Sequence, residues 1–437
     1  MTRRLPFGMD SFGMGSFGMG SFAAVGAAAL VVAAGLVLGQ PTGAENTRGH
    51  GVLDDYASTP STAWTLDDQS LPGLTGDGDI TIADTSGDDW LVSYTAGIRR
   101  MYVLVDAGTG AQRWDEPVNA GFGACAFDES GDIGCSVRTR TDGPDNGFFV
   151  VDRENGSLEL TSRGSDTAEL VGLGADFVHV NDSGYQVSRR SPSGDERWTR
   201  TFAASARPSV TDGVLTVATA DGARFVIDPV TGEDVAACQD CEVTTYPTGL
   251  VVSRSHDGTT TLDFYRVSDG VVDPTRVSSA DGLRVVPGLS TLPVVTAAGD
   301  TVLQAHGRYQ VMDPATGDAV WEVSDTELSK AHTRPCGPQV SFALKDRSRV
   351  FFALDDGSRV GELAEPEFGR PEADVDMLSC VGASEDVVVF GNRSQLTAFR
   401  PSTGEQAWVL PINGDATDVD GRIVLNQGST LSVLTPN

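Results

Sequence analysis

Basic charge is what this chain has little of. Against 61 Asp and Glu stand only 31 Lys and Arg, a net charge of −30. A surface of that sign repels phosphate backbones and anionic headgroups, which argues against nucleic acid as a partner. It keeps a protein in solution, and leaves room for a cation or a basic partner. Helical periodicity is missing too. Past residue 44 no segment repeats its apolar residues at helical spacing for long enough to make a stable helix, so alternating strand–helix units are excluded. Catalytic signatures are also absent: there is no GxSxG, HExxH or P-loop pattern, so hydrolase and nucleotide readings lack support. The five His (His50, His179, His256, His306 and His332) are scattered, with no pair at ligand spacing.

What is present begins with an apolar run. Phe22 to Leu38 carries no charge, follows Arg3 and Arg4, and precedes Glu45. That charge order puts the N-terminus in the cytoplasm and exports the rest. Residues 22–38 are therefore expected to be an uncleaved transmembrane anchor, with a cleaved signal sequence (Thr42-Gly43-Ala44 as the small-residue site) as the alternative. The protein would then sit on the outer face of the cell membrane, or be secreted if the segment is removed. Residues 1–21, built on a repeat of Gly, Met, Ser and Phe, read as a disordered cytoplasmic tail, and 39–62 as a linker. Six Cys suit an exported, disulfide-permitting compartment. Cys125 and Cys135 flank a turn-rich segment and are placed to face each other across a hairpin. Cys238 and Cys241 form a close CxxC, which leaves Cys336 with Cys380. Acids around the CxxC and a β turn before it favour a structural staple over a redox site.

The remainder repeats. A turn glycine recurs at Gly110, Gly156, Gly194, Gly232, Gly270, Gly317, Gly357 and Gly404, 38 to 47 residues apart. That is close to the length of one four-stranded propeller blade. Four residues after such a glycine stands Trp114, Trp198, Trp321 or Trp408, and Trp64 reads as a further member whose turn has degenerated. Between the turns lie short runs rich in Val, Thr, Phe and Tyr, bounded by Gly, Asp and Asn, as in 213–229 and 386–401. These are strands. Four such strands cannot bury their own faces, but sheets stacked radially bury one another and protect their edges. The last unit ends without a turn-and-Trp strand, and 63–66 is expected to supply it and close the ring.

The pattern Asp-x-x-Thr-Gly-x-x-x-Trp, complete at Asp106 to Trp114 and at Asp313 to Trp321, resembles the tryptophan-docking repeat of PQQ-like β-propellers. The resemblance spans about residues 63–437. It implies an all-β propeller of four-stranded blades, eight by the family's habit and nine by literal count. It also implies that Trp64, Trp114, Trp198, Trp321 and Trp408 dock between blades. The family includes quinone-cofactor dehydrogenases, outer-membrane assembly scaffolds and exported proteins of other roles. The dehydrogenases typically carry an adjacent Cys-Cys pair, and none occurs here; only Trp90 is spare for a cofactor floor. No catalytic and no cofactor-binding residue is assigned.

The expected function is a non-enzymatic binding or scaffold module, a monomeric propeller, for an envelope protein or extracellular ligand. A PQQ-dependent dehydrogenase and a Ca²⁺-dependent surface or carbohydrate-binding protein are the alternatives. For the latter, Asp77, Asp79, Asp84 and Asp88 in an Asp- and Gly-rich stretch form a candidate Ca²⁺ set, against a reading as hairpin turns.

Overall fold

The computed structural model describes residues 49–139, 146–164, 166–298, 307–328, 332–366 and 374–436. The run at 22–38, expected as an anchor, and the tail before it lie outside the described residues. Among the described residues no helix is long and apolar enough to cross a membrane. Among the described residues the one helical element is a short 3-10 turn at Val375–Met377.

Strand-forming runs pair as antiparallel meanders into nine sheets. Blade 1 shows the unit: Ile80–Ser86, Asp89–Ala96, Arg99–Asp106 and Val118–Gly121, hydrogen-bonded in chain order. Its second strand alternates little, because both faces are covered: Asp89–Tyr94 is buried except at Ser93. Sheets sandwiched between neighbours on both faces lose the in–out pattern of a half-exposed strand. In blades 1 to 4 and again in blades 7 to 9 the first strands of successive blades lie against one another, which puts them at the axis.

Nine blades correct the expectation of eight. The weakly patterned units ending at Gly270 and Gly357 nonetheless form complete sheets. Backbone hydrogen bonds carry a blade whether or not its turn keeps the consensus. In blade 5 the strand Thr259–Ser268 carries both a short hairpin partner, Val271–Val272, and the outer strand Ser278–Asp281. In blade 7 an extra strand, Leu289–Ser290, pairs in parallel with Arg334–Gly337. The ninth blade takes three strands from the end of the chain and the fourth, Ser61–Leu66, from its beginning, antiparallel to Leu431–Thr435.

The core is distributed over the seams between blades. Each buried cluster draws on neighbouring sheets, as where Leu91 and Leu104 of blade 1 meet Ile133 and Val137 of blade 2. The cluster across blades 2 and 3 is the smallest: Ala124, Ala126, Phe148, Leu170 and Phe177.

Tryptophan docking follows one rule. Trp64, Trp114, Trp198 and Trp321 donate their indole N–H to the carbonyls of Ala107, Arg153, Pro229 and Leu354, at 2.9, 3.1, 2.9 and 2.9 Å. Each acceptor lies in the turn of the next blade, so the buried ring keeps a partner for its polar edge. The turn glycine is the seat. Gly110 has φ +69°, and a Cβ there would come within 2.6 Å of the Trp64 ring. Backbone conformation and space both demand glycine at that position.

Three disulfides form. Cys125 and Cys135 pair across the first hairpin of blade 2. Cys238 and Cys241 span the link from blade 4 to blade 5, and Cys336–Cys380 joins the first strands of blades 7 and 8.

Candidate functional site

Turns between first and second strands gather at one mouth of the central channel. Two adjoining cavities open there, and Glu129 lines both. The larger, about 370 Å³, is walled by Ala83–Thr85, Phe127–Glu129, Leu170–Gly172 and Pro208–Val210, the first strands and turns of blades 1 to 4. The other, about 320 Å³, is bounded by Asp212, Pro247, Asp269 and Gly270. Asp212 and Asp269 sit in tight turns with φ +53° and +50°. Such turns favour short acids whose side chains bond locally, which is one reason acids collect here.

Two carboxyls at this end are held against their charge. Burial pushes Asp84 up to about 6; the amides of Phe127 and Thr85 pull the other way and Asp420 adds to the rise. Its Oδ2 accepts from the Phe127 N–H at 2.8 Å, tying blade 1 to blade 2. Burial likewise pushes Asp418 up to about 6, with Asp420 and Asp54 adding. One Asp418 oxygen accepts from the Gly421 N–H at 2.9 Å, and the amides of Gly421 and Gly51 oppose the rise.

The stretch before the first strand, expected as linker to residue 62, is described from residue 49, and it lies on the ring. His50 Nε2 meets Asp212 Oδ2 at 2.8 Å. Val52 bridges in parallel to Ala383, and the Asp54 N–H donates to the Gly421 carbonyl at 2.7 Å. Tyr56 is fully buried; its hydroxyl donates to the Leu434 carbonyl at 2.8 Å and accepts from the Ile423 N–H at 3.0 Å. Trp408 has no following consensus turn to dock on, and it donates instead to the Tyr56 carbonyl at 2.8 Å. Arg400 reaches the Ala57 carbonyl. The segment thus runs from the channel mouth to the outer rim of blades 8 and 9 and stands in for a missing turn. Nothing periodic marks it in the sequence; a lone Tyr with His and Asp before it is its only signal.

The other anticipated residues are placed as follows. Asp77 and Asp79 precede the strand Ile80–Ser86, Asp84 lies on it, and Asp88 follows it. The strand's length separates the first two from the last. Among the described residues no group of three or more His, Cys, Asp or Glu is arranged to hold a metal ion. Trp90 is fully buried between blades 9 and 1, edge-on to Trp64 with ring centres 5.9 Å apart, and donates to Asp420 at 3.2 Å. It is core, not a floor for a cofactor. Sequence reasoning missed the acidic mouth because each of its acids reads individually as turn chemistry.

Residues 247–435 match the model of the family described as outer membrane protein assembly factor BamB. No curated protein matches the chain. Among solved structures, BamB from Moraxella catarrhalis is similar at 13% identity, with 86% of this chain and 98% of that one covered and a TM-score of 0.41. The computationally designed Ika8 protein aligns at 15% identity over 83% of this chain and 97% of that one, with a TM-score of 0.39. The Dos1 propeller aligns at 10% over 72% and 92%, with a TM-score of 0.34. Repeat and docking rule agree on a β-propeller of four-stranded blades, and residues 247–435 carry the match to the PQQ-like repeat family.

Proposed function

We propose that this protein is a non-enzymatic binding scaffold, held by residues 22–38 on the outer face of the cell membrane, that engages an envelope or extracellular protein. The observation that carries the reading is the match of residues 247–435 to the family described as an outer membrane protein assembly factor. The acidic mouth supports it further. Glu129, Asp212 and Asp269 rim a recess about 320 Å³ in volume, a surface suited to a partner segment carrying Arg or Lys. The ring holds that surface rigid, so recognition needs little ordering of the scaffold.

The test has two arms. A melt of the protein with PQQ plus Ca²⁺, and with Ca²⁺ alone, is expected to leave the transition where it stands without them, because a ligand binding only the native state raises it. A large rise that requires PQQ would replace the scaffold reading with a quinoprotein dehydrogenase. In cells, a photo-crosslinker placed at Glu129 or Asp269 is expected to capture a defined envelope protein. Charge reversal to Glu129→Lys with Asp269→Lys should abolish that capture. Capture that ignores the reversal sinks the mouth as the docking surface. Protease added outside intact cells should reach the propeller; full protection would overturn the placement.

A further inference from the structure

Several seams lack a docked tryptophan, and the one between blades 2 and 3 also shifts its bulge. In blades 3, 4, 6, 7 and 8 the irregularity in the outer strand falls between the second and fourth residues after the turn glycine, as between Glu196 and Trp198. In blade 2 it falls two residues later, between Leu160 and Ser162. A bulge re-aims every side chain beyond it. Leu160, at the tryptophan phase of the repeat, is turned out and is 39% exposed. The residue that faces Gly194 of blade 3 is Ser162: a Cβ on Gly194 would meet Ser162 Cβ and Oγ at 3.1 Å, where Gly110, Gly156, Gly232 and Gly357 would meet an indole.

A hydroxymethyl in place of an indole leaves space only where the blades stay apart; at Gly317 of blade 6 a Cβ would meet Ser278 Cβ at 2.3 Å. Where the tryptophan is replaced by Gly361, the blades have closed up instead, and a Cβ there would overlap the Pro401 carbonyl at 1.8 Å. Blades 2 and 3 have not closed. A cavity of about 40 Å³ remains, lined by Phe148, Ser162, Arg163, Gly164, His179, Arg190, Ser191 and Gly194. In a chain of net charge −30, two of its eight wall residues are arginines and none is acidic. The nearest counter-charge to Arg190 is Glu196, at 4.0 Å on the exposed rim. His179 is 4% exposed; its Nδ1 meets Thr167 Oγ1 at 3.0 Å, and its Nε2 is buried without a partner among the described residues. An orphaned buried ring nitrogen is costly unless something fills the space beside it.

We infer that the seam between blades 2 and 3 is a binding site for a small oxyanion, a phosphate-, sulfate- or carboxylate-sized group held by Arg163 and Arg190 with the Ser162 hydroxyl and His179 Nε2. Guanidinium forks suit such groups because they present parallel N–H donors to two oxygens. Burial, with Arg190 adding, holds His179 down at about 3, so the ring is neutral and its Nε2–H donates when Thr167 donates to Nδ1. The inference does not rest on the scaffold reading.

Titration calorimetry on the full chain tests it, with sodium phosphate, sulfate and acetate each compared with chloride at equal ionic strength. At least one of the three is expected to bind saturably at one site and to move the His179 ring resonances. Response to the tetrahedral ions alone assigns that class; response to acetate as well assigns carboxylates. Arg190→Gln should weaken binding about tenfold or more, as loss of a charged hydrogen bond does. Ser162→Leu fills the cavity, and should abolish binding while leaving the ligand-free melting temperature unchanged or higher, which separates loss of the site from loss of the fold. Heat that tracks ionic strength alone, or binding that survives both variants, overturns the site and leaves water as its occupant.

Discussion

At the scale of single residues, the chain keeps charge where burial opposes it. Asp84 ordinarily titrates near 3.8, and on the folded protein near 6. A raised folded value means the folded state holds the proton more tightly. The cost is absent below pH 3.8, grows between 3.8 and 6, and is complete above 6. Asp84→Asn keeps an oxygen for the Phe127 amide and removes the charge. It should stabilise by about 1–2 kcal/mol at pH 7.5, after discounting for partial exposure, and by nothing at pH 4. Paired denaturant melts at the two pH values measure this; an equal gain at both would show that charge is not the cause. The docking tryptophans were legible at this scale, since five of the six in the chain share one phase of a repeat. Leu160 shows the limit. The repeat gives its phase, but a bulge moved by two residues decides which way it points, and no residue type announces that bulge.

At the scale of elements, the stretch 49–57 matters most and was least readable. Its residues have no strand period because its partners are not its neighbours: Tyr56 meets Leu434 and Ile423 across 378 and 367 positions. Tyr56→Phe strips the hydroxyl that satisfies a buried carbonyl and a buried N–H. It should cost about 1–3 kcal/mol, read as a lower urea midpoint with unchanged slope. No change would mean that water replaces the hydroxyl and that the stretch is not locked. The Cys pairings were readable from spacing, because a hairpin and a CxxC leave one combination over. Blade number was readable only by counting literally, since the degenerate units keep their strands while losing their turns.

At the scale of the molecule, the ring depends on a single closure. Without Ser61–Leu66 the strand Leu431–Thr435 would present an unpaired edge, a template for another chain. A protein beginning at residue 67 should therefore self-associate, eluting on size exclusion as dimers or larger species at concentrations where the intact chain does not. Elution as a stable monomer would mean the ring holds by its seams alone. The architecture was legible here because radial stacking is the economical way to bury many small sheets. The acidic mouth was not, because it exists only once the turns of separate blades are brought to one end.

That closure also has a history in time. Thr65 and Ser432, whose hydroxyls meet at 3.0 Å, are separated by 367 residues. On a ribosome making roughly 5–20 residues per second, the earlier strand emerges tens of seconds before the later one. Throughout that interval the first strand has no mate and eight blades assemble beside it. Closure of the ring therefore waits on the strand Leu431–Thr435, and a chain that stalls before it leaves Ser61–Leu66 unpaired.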